Sequence, residues 1–287
     1  APGYEPEALE MMTPEESIDE ITFANDAKRF DTGEAGMRAY FCKNCGAELM
    51  ADETAAAECP YCGSPTILPD RIEDGVKPEK VIPFVVSKEQ AQKQFEDYFK
   101  GKKLLPNVFL NSRNRISEMR RLYIPYWLFS CDACADMVYD AEKVHTEQKG
   151  EWEITRTKHY LVRRRGGMRF EYIPVDGSVK MDDKLTESLE PYDLSAAIPF
   201  QSAVLAGAMA DHADADCDAC EKRAVERSVE QTMLDTVRDY DTVSERSRRI
   251  IAERGSATPA LLPVWLMTTV KEGKTYTLAV NGQTGKL

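Results

Sequence analysis

No run of eighteen apolar residues occurs in the chain, and its N-terminus lacks the basic-then-apolar pattern of a secretory signal. On the sequence alone, a membrane-spanning helix and a signal peptide are therefore not expected within these residues. A Walker phosphate loop, a G-x-G-x-x-G fingerprint and a Ser/His/Asp arrangement are also missing. Carboxylates are plentiful, yet no pair is singled out for acid–base work, and the chain reads as non-enzymatic. Nor is there an excess of base: 37 Lys and Arg stand against 49 Asp and Glu. Ten of those acids fall in residues 1–36 against Lys28 and Arg29 alone, an acidic arm on a nearly neutral body. That is not the footprint of a general nucleic-acid binder.

What is present is a globular composition, 43% hydrophobic over 287 residues, long enough for two or three domains. All eight cysteines fall in CxxC pairs, at 42/45, 59/62, 131/134 and 217/220. Such pairing suits metal chelation in a reducing compartment better than secreted disulfides, which points to the cytoplasm.

Cys42-Lys43-Asn44-Cys45-Gly46 and Cys59-Pro60-Tyr61-Cys62-Gly63 have the spacing of a four-thiolate zinc ribbon. Each CxxC turn aims two sulfurs at one point, and the glycine after it tolerates the left-handed backbone such a turn needs. The competing readings, two disulfides or four structural thiols, leave both glycines and both spacings unaccounted for. With Cys42, Cys45, Cys59 and Cys62 as ligands no position is left for water, so the metal holds fold. Within 38–68, Arg38 and Lys43 face Glu48, Asp52, Glu53 and Glu58, so the ribbon lacks the basic face that tracks phosphates.

Cys131-Asp132-Ala133-Cys134 and Cys217-Asp218-Ala219-Cys220 are identical tetrapeptides. The second opens a long helical pattern with Val225, Val229, Met233, Val237 and Tyr240 on one face. The first is expected in a turn, because residues i and i+3 of a regular strand face opposite sides. A second four-thiolate zinc site, a disulfide and unbound thiols all remain open for Cys131, Cys134, Cys217 and Cys220. His212 is an alternative ligand, though a lone histidine is more often a surface residue. Asp214, Asp216 and Asp218 imitate a calcium loop but lack its glycine and its final glutamate. Arg163, Arg164 and Arg165 form a basic hairpin: either a solvated edge or a contact with an anionic surface.

The order of elements predicts an acidic linker with a short helix (1–36), a zinc ribbon (37–69) and two α+β halves (80–190 and 191–287). Ile82-Pro83-Phe84 echoes in Ile198-Pro199-Phe200, and Pro125-Tyr126-Trp127-Leu128 in Pro263-Val264-Trp265-Leu266. The fold class expected is thus α+β, a small ribbon followed by an antiparallel-sheet domain of two duplicated halves. Trp127 and Trp265 are read as core.

The ribbon, the Ile82-Pro83-Phe84 strand, Tyr123–Phe129, Val175-Asp176-Gly177-Ser178 with Met181-Asp182-Asp183, Leu262–Leu266 and Asn281-Gly282-Gln283-Thr284-Gly285-Lys286 together resemble a family. It is that of bacterial transcription-factor-IIB-type zinc-ribbon proteins, some of them labelled as similar to the primosomal replication-restart helicase. The resemblance covers about 37–287. It implies a membrane-tethered protein with another ribbon ahead of this region and hydrophobic segments after it, this chain being the cytoplasmic core. The twin Cys-Asp-Ala-Cys departs from the family pattern. The function expected is a zinc-binding adaptor or assembly module with a protein partner near a membrane. The alternative is nucleic-acid binding in replication or transcription.

Overall fold

The computed structural model describes residues 18–287 apart from 26, 31–36, 53–57, 66, 71–74, 100–118, 216 and 272–273. Its elements are β1 (Ile18–Ala24), β2 (Met37–Cys42), β3 (Glu48–Asp52), β4 (Ile67–Asp70), β5 (Lys80–Val81), α1 (Lys88–Phe99), β6 (Arg120–Lys149) and β7 (Trp152–Asp176). There follow α2 (Asp183–Leu189), β8 (Ile198–Pro199), β9 (Met209–Asp211), α3 (Cys217–Val225), a π-helical stretch (Glu226–Glu230), α4 (Gln231–Asp235), β10 (Thr242–Lys271) and β11 (Lys274–Asn281). Hydrogen-bonded neighbours run β4-β2-β3-β9-β6-β10-β5-β8, with β11 and β1 also on β10 and β7 on β6. Two compact units are each gathered from three separated stretches. Unit one is 1–24, 129–173 and 221–256; unit two is 25–128, 174–220 and 257–287.

Unit one follows a period of two. Along β6, Cys131, Ala133, Ala135, Met137, Tyr139 and Ala141 are all buried, while Asp132, Asp136 and Asp140 alternate between them. The facing helix presents Val225, Val229, Met233 and Val237 to the same cluster. Steps of four drift about 40° each round an α-helix, and the wider π-helical turn at Glu226–Glu230 takes up part of that drift. On the other side β1 joins β10 in parallel.

Unit two has two packed clusters. Phe30, Met50, Val81, Tyr123, Leu205, Ala210 and Leu261 form one, and Val86, Ala91, Phe95, Met119, Trp265, Met267 and Val280 the other. The capping box read at Ser87 is made: the Ser87 amide donates to Gln90 Oε1 at 2.8 Å and the Gln90 amide to Ser87 Oγ at 3.2 Å. Asn281, fully buried, accepts from the Gln283 and Thr284 amides and donates to the Leu189 carbonyl oxygen, which fixes the terminal Asn-Gly-Gln-Thr-Gly turn.

The expected antiparallel α+β domain of two duplicated halves needs correction. Strand far outweighs helix, and the sheet is mixed, since β1 and β5 pair parallel with β10 and β9 pairs parallel with β6. β5, just before the first echoed tripeptide, and β8, within the second, pair with each other rather than standing in separate sheets. Residues 18–24 are strand rather than helix, with Ile21 and Phe23 inward at a spacing of two. Arg165-Gly166-Gly167 is no turn: β7 runs straight through it, and the hairpin turns at Gly150, whose φ of +67° a glycine supplies without strain. The segment 1–17 and Gly101 lie outside the described residues. No described helix is long and apolar enough to cross a membrane.

Phe23 stands opposite Gly255 where the β1–β10 register slips. A Cβ on Gly255 would fall 2.4 Å from Phe23 Cδ1 and 2.6 Å from the Thr22 carbonyl oxygen, so backbone would have to move. Gly255→Ala is expected to destabilise the protein by roughly 1–3 kcal/mol in denaturant unfolding. Gly166→Ala, with nothing within 4 Å of the added atom, should be neutral or slightly stabilising.

Candidate metal centre

The two CxxC turns fold alike. The Gly46 amide donates to the Cys42 carbonyl at 2.8 Å and the Gly63 amide to the Cys59 carbonyl at 2.9 Å, with φ at +70° and +71°. The left-handed glycines expected from the sequence are therefore in place. The four sulfurs lie within 4.8 Å of one another. Cys42 Sγ to Cys62 Sγ and Cys45 Sγ to Cys59 Sγ are both 3.6 Å. A tetrahedron with metal–sulfur bonds of about 2.3 Å has edges of about 3.8 Å, so the donor set fits one tetrahedral ion. Cys42 and Cys59 are wholly buried, and the Lys180 ammonium donates to the Cys45 carbonyl at 2.9 Å, placing one positive charge beside a thiolate cluster.

Without metal these thiols do not titrate alike. Burial pushes Cys45 up to about 11 and Cys59 higher still. Burial also opposes ionisation of Cys62, but hydrogen bonds from the Asn44 side chain and the Ser64 amide bring it down to about 7. A metal that takes all four as thiolates must displace protons from Cys45 and Cys59.

The ribbon is not a free tab. Its strand β3 pairs with β9, Leu49 opposite Asp211 and Ala51 opposite Met209, so it continues the sheet of unit two. The Tyr61 hydroxyl, from inside the second CxxC, donates to Asp211 Oδ2, and Ser178 Oγ donates to the same oxygen. Arg120 pairs with Glu58, and Thr268 Oγ1 donates to the Pro60 carbonyl at 3.3 Å. Asp176 accepts from the Ser178 amide on one carboxylate oxygen, while the other is buried without a hydrogen-bond partner. Burial raises Asp176 to about 7 and Asp211 to about 6.

The other candidates are placed differently. Cys131 and Cys134 lie mid-strand on β6, not in a turn, and the pleat sends them apart: Cys131 is buried and Cys134 exposed. Cys217 and Cys220 share one face at the start of α3. Asn25 Nδ2 donates to Cys217 Sγ at 3.4 Å, and Cys220 Sγ donates to the Asp176 carbonyl at 3.5 Å. Among the described residues, no group of three or more metal-ligating side chains converges besides the ribbon. Asp214 accepts from the Val179 amide at 2.7 Å, a loop tie rather than a calcium ligand. Arg163 grips Asp136 with two hydrogen bonds of 2.7 and 2.6 Å, and Arg164 reaches the Thr236 carbonyl. Along β7 Arg163 and Arg165 are exposed, while Arg164 between them is half-buried. Trp265 is core, its Nε1 donating to the Val86 carbonyl at 2.9 Å; Trp127 is core with Nε1 unpartnered.

Sequence reasoning passed over Asp176, Asp211, Ser178 and Tyr61 as a group. The available signal was a carboxylate closing an apolar stretch in Tyr172-Ile173-Pro174-Val175-Asp176 and again in Ala208-Met209-Ala210-Asp211.

A carboxyl held above its unfolded value stabilises the fold when protonated, and that contribution is lost as pH rises through the folded value. For Asp176 the window runs from the usual range near 4 up to about 7. Asp176→Asn is expected to remove a slope on the order of 2–4 kcal/mol between pH 4 and pH 8. The check is urea unfolding of wild type and variant at equal metal content across that range. Parallel curves would contradict the assignment.

No family model matches the chain, and no solved structure matches it. A curated relative, "Uncharacterized protein YdjG" of Bacillus subtilis (strain 168), is 34% identical over 302 aligned positions that cover 87% of this chain and 88% of the relative. Likeness at that level over nearly the whole of both chains means that this protein belongs to the family of YdjG.

Proposed function

We propose that the four-thiolate centre holds zinc and that the chain is a non-enzymatic adaptor, binding a protein partner in the cytoplasm close to a membrane. The observation that carries this reading is the closed sulfur tetrahedron built into the sheet: with four protein ligands, the metal has no position to offer a substrate. Its role is then to hold β2, β3 and the strands they pair with. The resemblance to transcription-factor-IIB-type ribbon proteins supports the zinc assignment and supplies the membrane-proximal setting. A surface for a partner is available in unit one. Trp152, at the start of β7, is 77% exposed beside the hairpin turn. An exposed tryptophan of this kind is the usual anchor of a protein interface.

The nucleic-acid reading is weaker, because the ribbon is acidic and Arg120 at its base is taken up by Glu58. Elemental analysis of the purified protein is expected to find one zinc per chain, abolished by Cys42→Ser, whereas iron or no metal would sink the zinc assignment. A photo-crosslinking residue at position 152 of the full-length protein in its own cell is expected to capture one protein. Trp152→Ala should then weaken that partner's binding by tenfold or more. Salt-sensitive DNA affinity with no crosslinked protein would favour the alternative.

A further inference from the structure

The two Cys-Asp-Ala-Cys segments have the same sequence and opposite geometry. On β6 the pleat separates the sulfurs; at the start of α3, residues three apart lie on one face about 60° from each other round the axis. The two helical thiols also differ in access. Cys217 is partly exposed, and Cys220, one turn on, is buried. Three further features surround them, all in unit two. Cys217 Sγ accepts a hydrogen bond from the Asn25 amide, a contact that favours thiolate, as does the helix N-terminus. Cys220 Sγ is oriented by its bond to the Asp176 carbonyl. Behind it, the wall Asp176-Gly177-Ser178 is tied to the loop that leads into the helix, the Asp214 and Ala215 amides both donating to the Gly177 carbonyl at 3.0 Å. That wall holds two buried polar groups with no partner among the described residues: Asp176 Oδ2, and the Nε1 of Trp127, which lies against Gly177.

We propose that Cys217 and Cys220 are a redox-active dithiol that exchanges with an external dialkyl disulfide, with Cys217 as the attacking sulfur and Cys220 as the resolving one. In the first step the Cys217 thiolate bonds to one sulfur of the disulfide, whose S–S bond breaks; the released thiolate takes up a proton from solvent. In the second, Cys220 gives up its proton and attacks Cys217 Sγ. The mixed disulfide breaks, a Cys217–Cys220 bond forms, and the second thiolate leaves, protonated at the expense of Cys220. Two electrons and two hydrogens pass from the dithiol to the substrate, and the sequence runs backwards when a thiol is in excess. The same tetrapeptide on β6 cannot follow this path, since Cys134 has no resolving sulfur on its face. This chemistry is independent of the ribbon and goes beyond the adaptor reading.

The test equilibrates the full chain, loaded with zinc at the ribbon, in glutathione and glutathione disulfide mixtures of increasing oxidising ratio. Bonds are then mapped by mass spectrometry. A loss of two hydrogens located at Cys217–Cys220 and reversed by dithiothreitol is expected, while Cys134 carries at most a glutathione adduct. Cys217→Ser should abolish the bond. Cys220→Ser and Cys220→Ala should each trap glutathione on Cys217 in at least tenfold higher yield than wild type, with ribbon zinc content and circular dichroism checking that the variants fold. Repeating the exchange with a disulfide-bridged peptide shows whether the small or the polypeptide disulfide is taken faster. Failure to form the Cys217–Cys220 bond in the most oxidising mixture would overturn the proposal. So would a second zinc per chain that disappears in Cys217→Ser.

Discussion

The pairing of β3 with β9 is the constraint on which unit two depends. Three residue pairs, Leu49 with Asp211, Met50 with Ala210 and Ala51 with Met209, hydrogen-bond the hairpin that carries Cys42 and Cys45 to the strand that in turn lies parallel to β6 at Leu122 and Tyr123. A ribbon alone buries too little apolar surface to fold, and structural zinc in such small modules contributes roughly 10–16 kcal/mol of apparent binding free energy. Because β3 is also a sheet strand here, any free energy of metal binding at the four cysteines would be passed in part to the neighbours: Met50 packs with Tyr123, Val81 and Leu261 in one cluster. Loss of the metal would therefore be felt in a core whose residues come from far along the chain.

The same pairing brings a cost. It sets Asp211 opposite Leu49 in a buried position, where an ionised carboxylate is unfavourable unless several donors face it. Tyr61 and Ser178 supply two hydroxyl donors, so the second CxxC turn and the β7–α2 connection converge on one carboxylate oxygen. Asp176 is less well provided among the described residues, with one amide bond and one bare oxygen, and burial raises both carboxyls. Buried, incompletely satisfied polar groups of this kind are uncommon, and this one belongs to the segment Asp176–Ser178 that carries Cys220's acceptor.

Local chemistry was legible in the residues and long-range pairing was not. The ribbon could be read because ligand spacing and two glycines specify a turn that needs no distant partner, and both left-handed glycines are found. The Ser87 capping box and the Val225, Val229, Met233, Val237 face are likewise properties of a few consecutive turns. By contrast, β6 and β10 each run for 30 residues. Gly166 and Gly167 suggested a turn, but a strand's neighbours can carry it past a weak residue. Gly166 meets nothing within 4 Å and Gly167 only Cys134 and Ala133 of β6, and of the three glycines in this hairpin Gly150 alone takes a positive φ. Parallel pairing of β1 with β10 joins residues more than two hundred positions apart, for which a local pattern holds no signal.

The twin Cys-Asp-Ala-Cys segments show how far residue identity underdetermines chemistry. Ligand spacing treats them as equal halves of one site, and the expectation of a turn at Cys131 followed from the demand that both sulfurs point the same way. The alternation around it was the better guide: alanine, alanine, methionine, tyrosine and alanine recur at every second position from Ala133 to Ala141, with Asp132, Asp136 and Asp140 between. Period two commits Cys131 to the core and Cys134 to the surface, and burial raises the Cys131 thiol, with Asp132 adding to the effect. A buried thiol with its ionisation suppressed is inert packing. On α3 the same spacing meets a period of 3.6, which turns two separated sulfurs into neighbours at a helix N-terminus. The difference between a divided pair and an adjacent one thus lies in the periodicity of the residues that flank them.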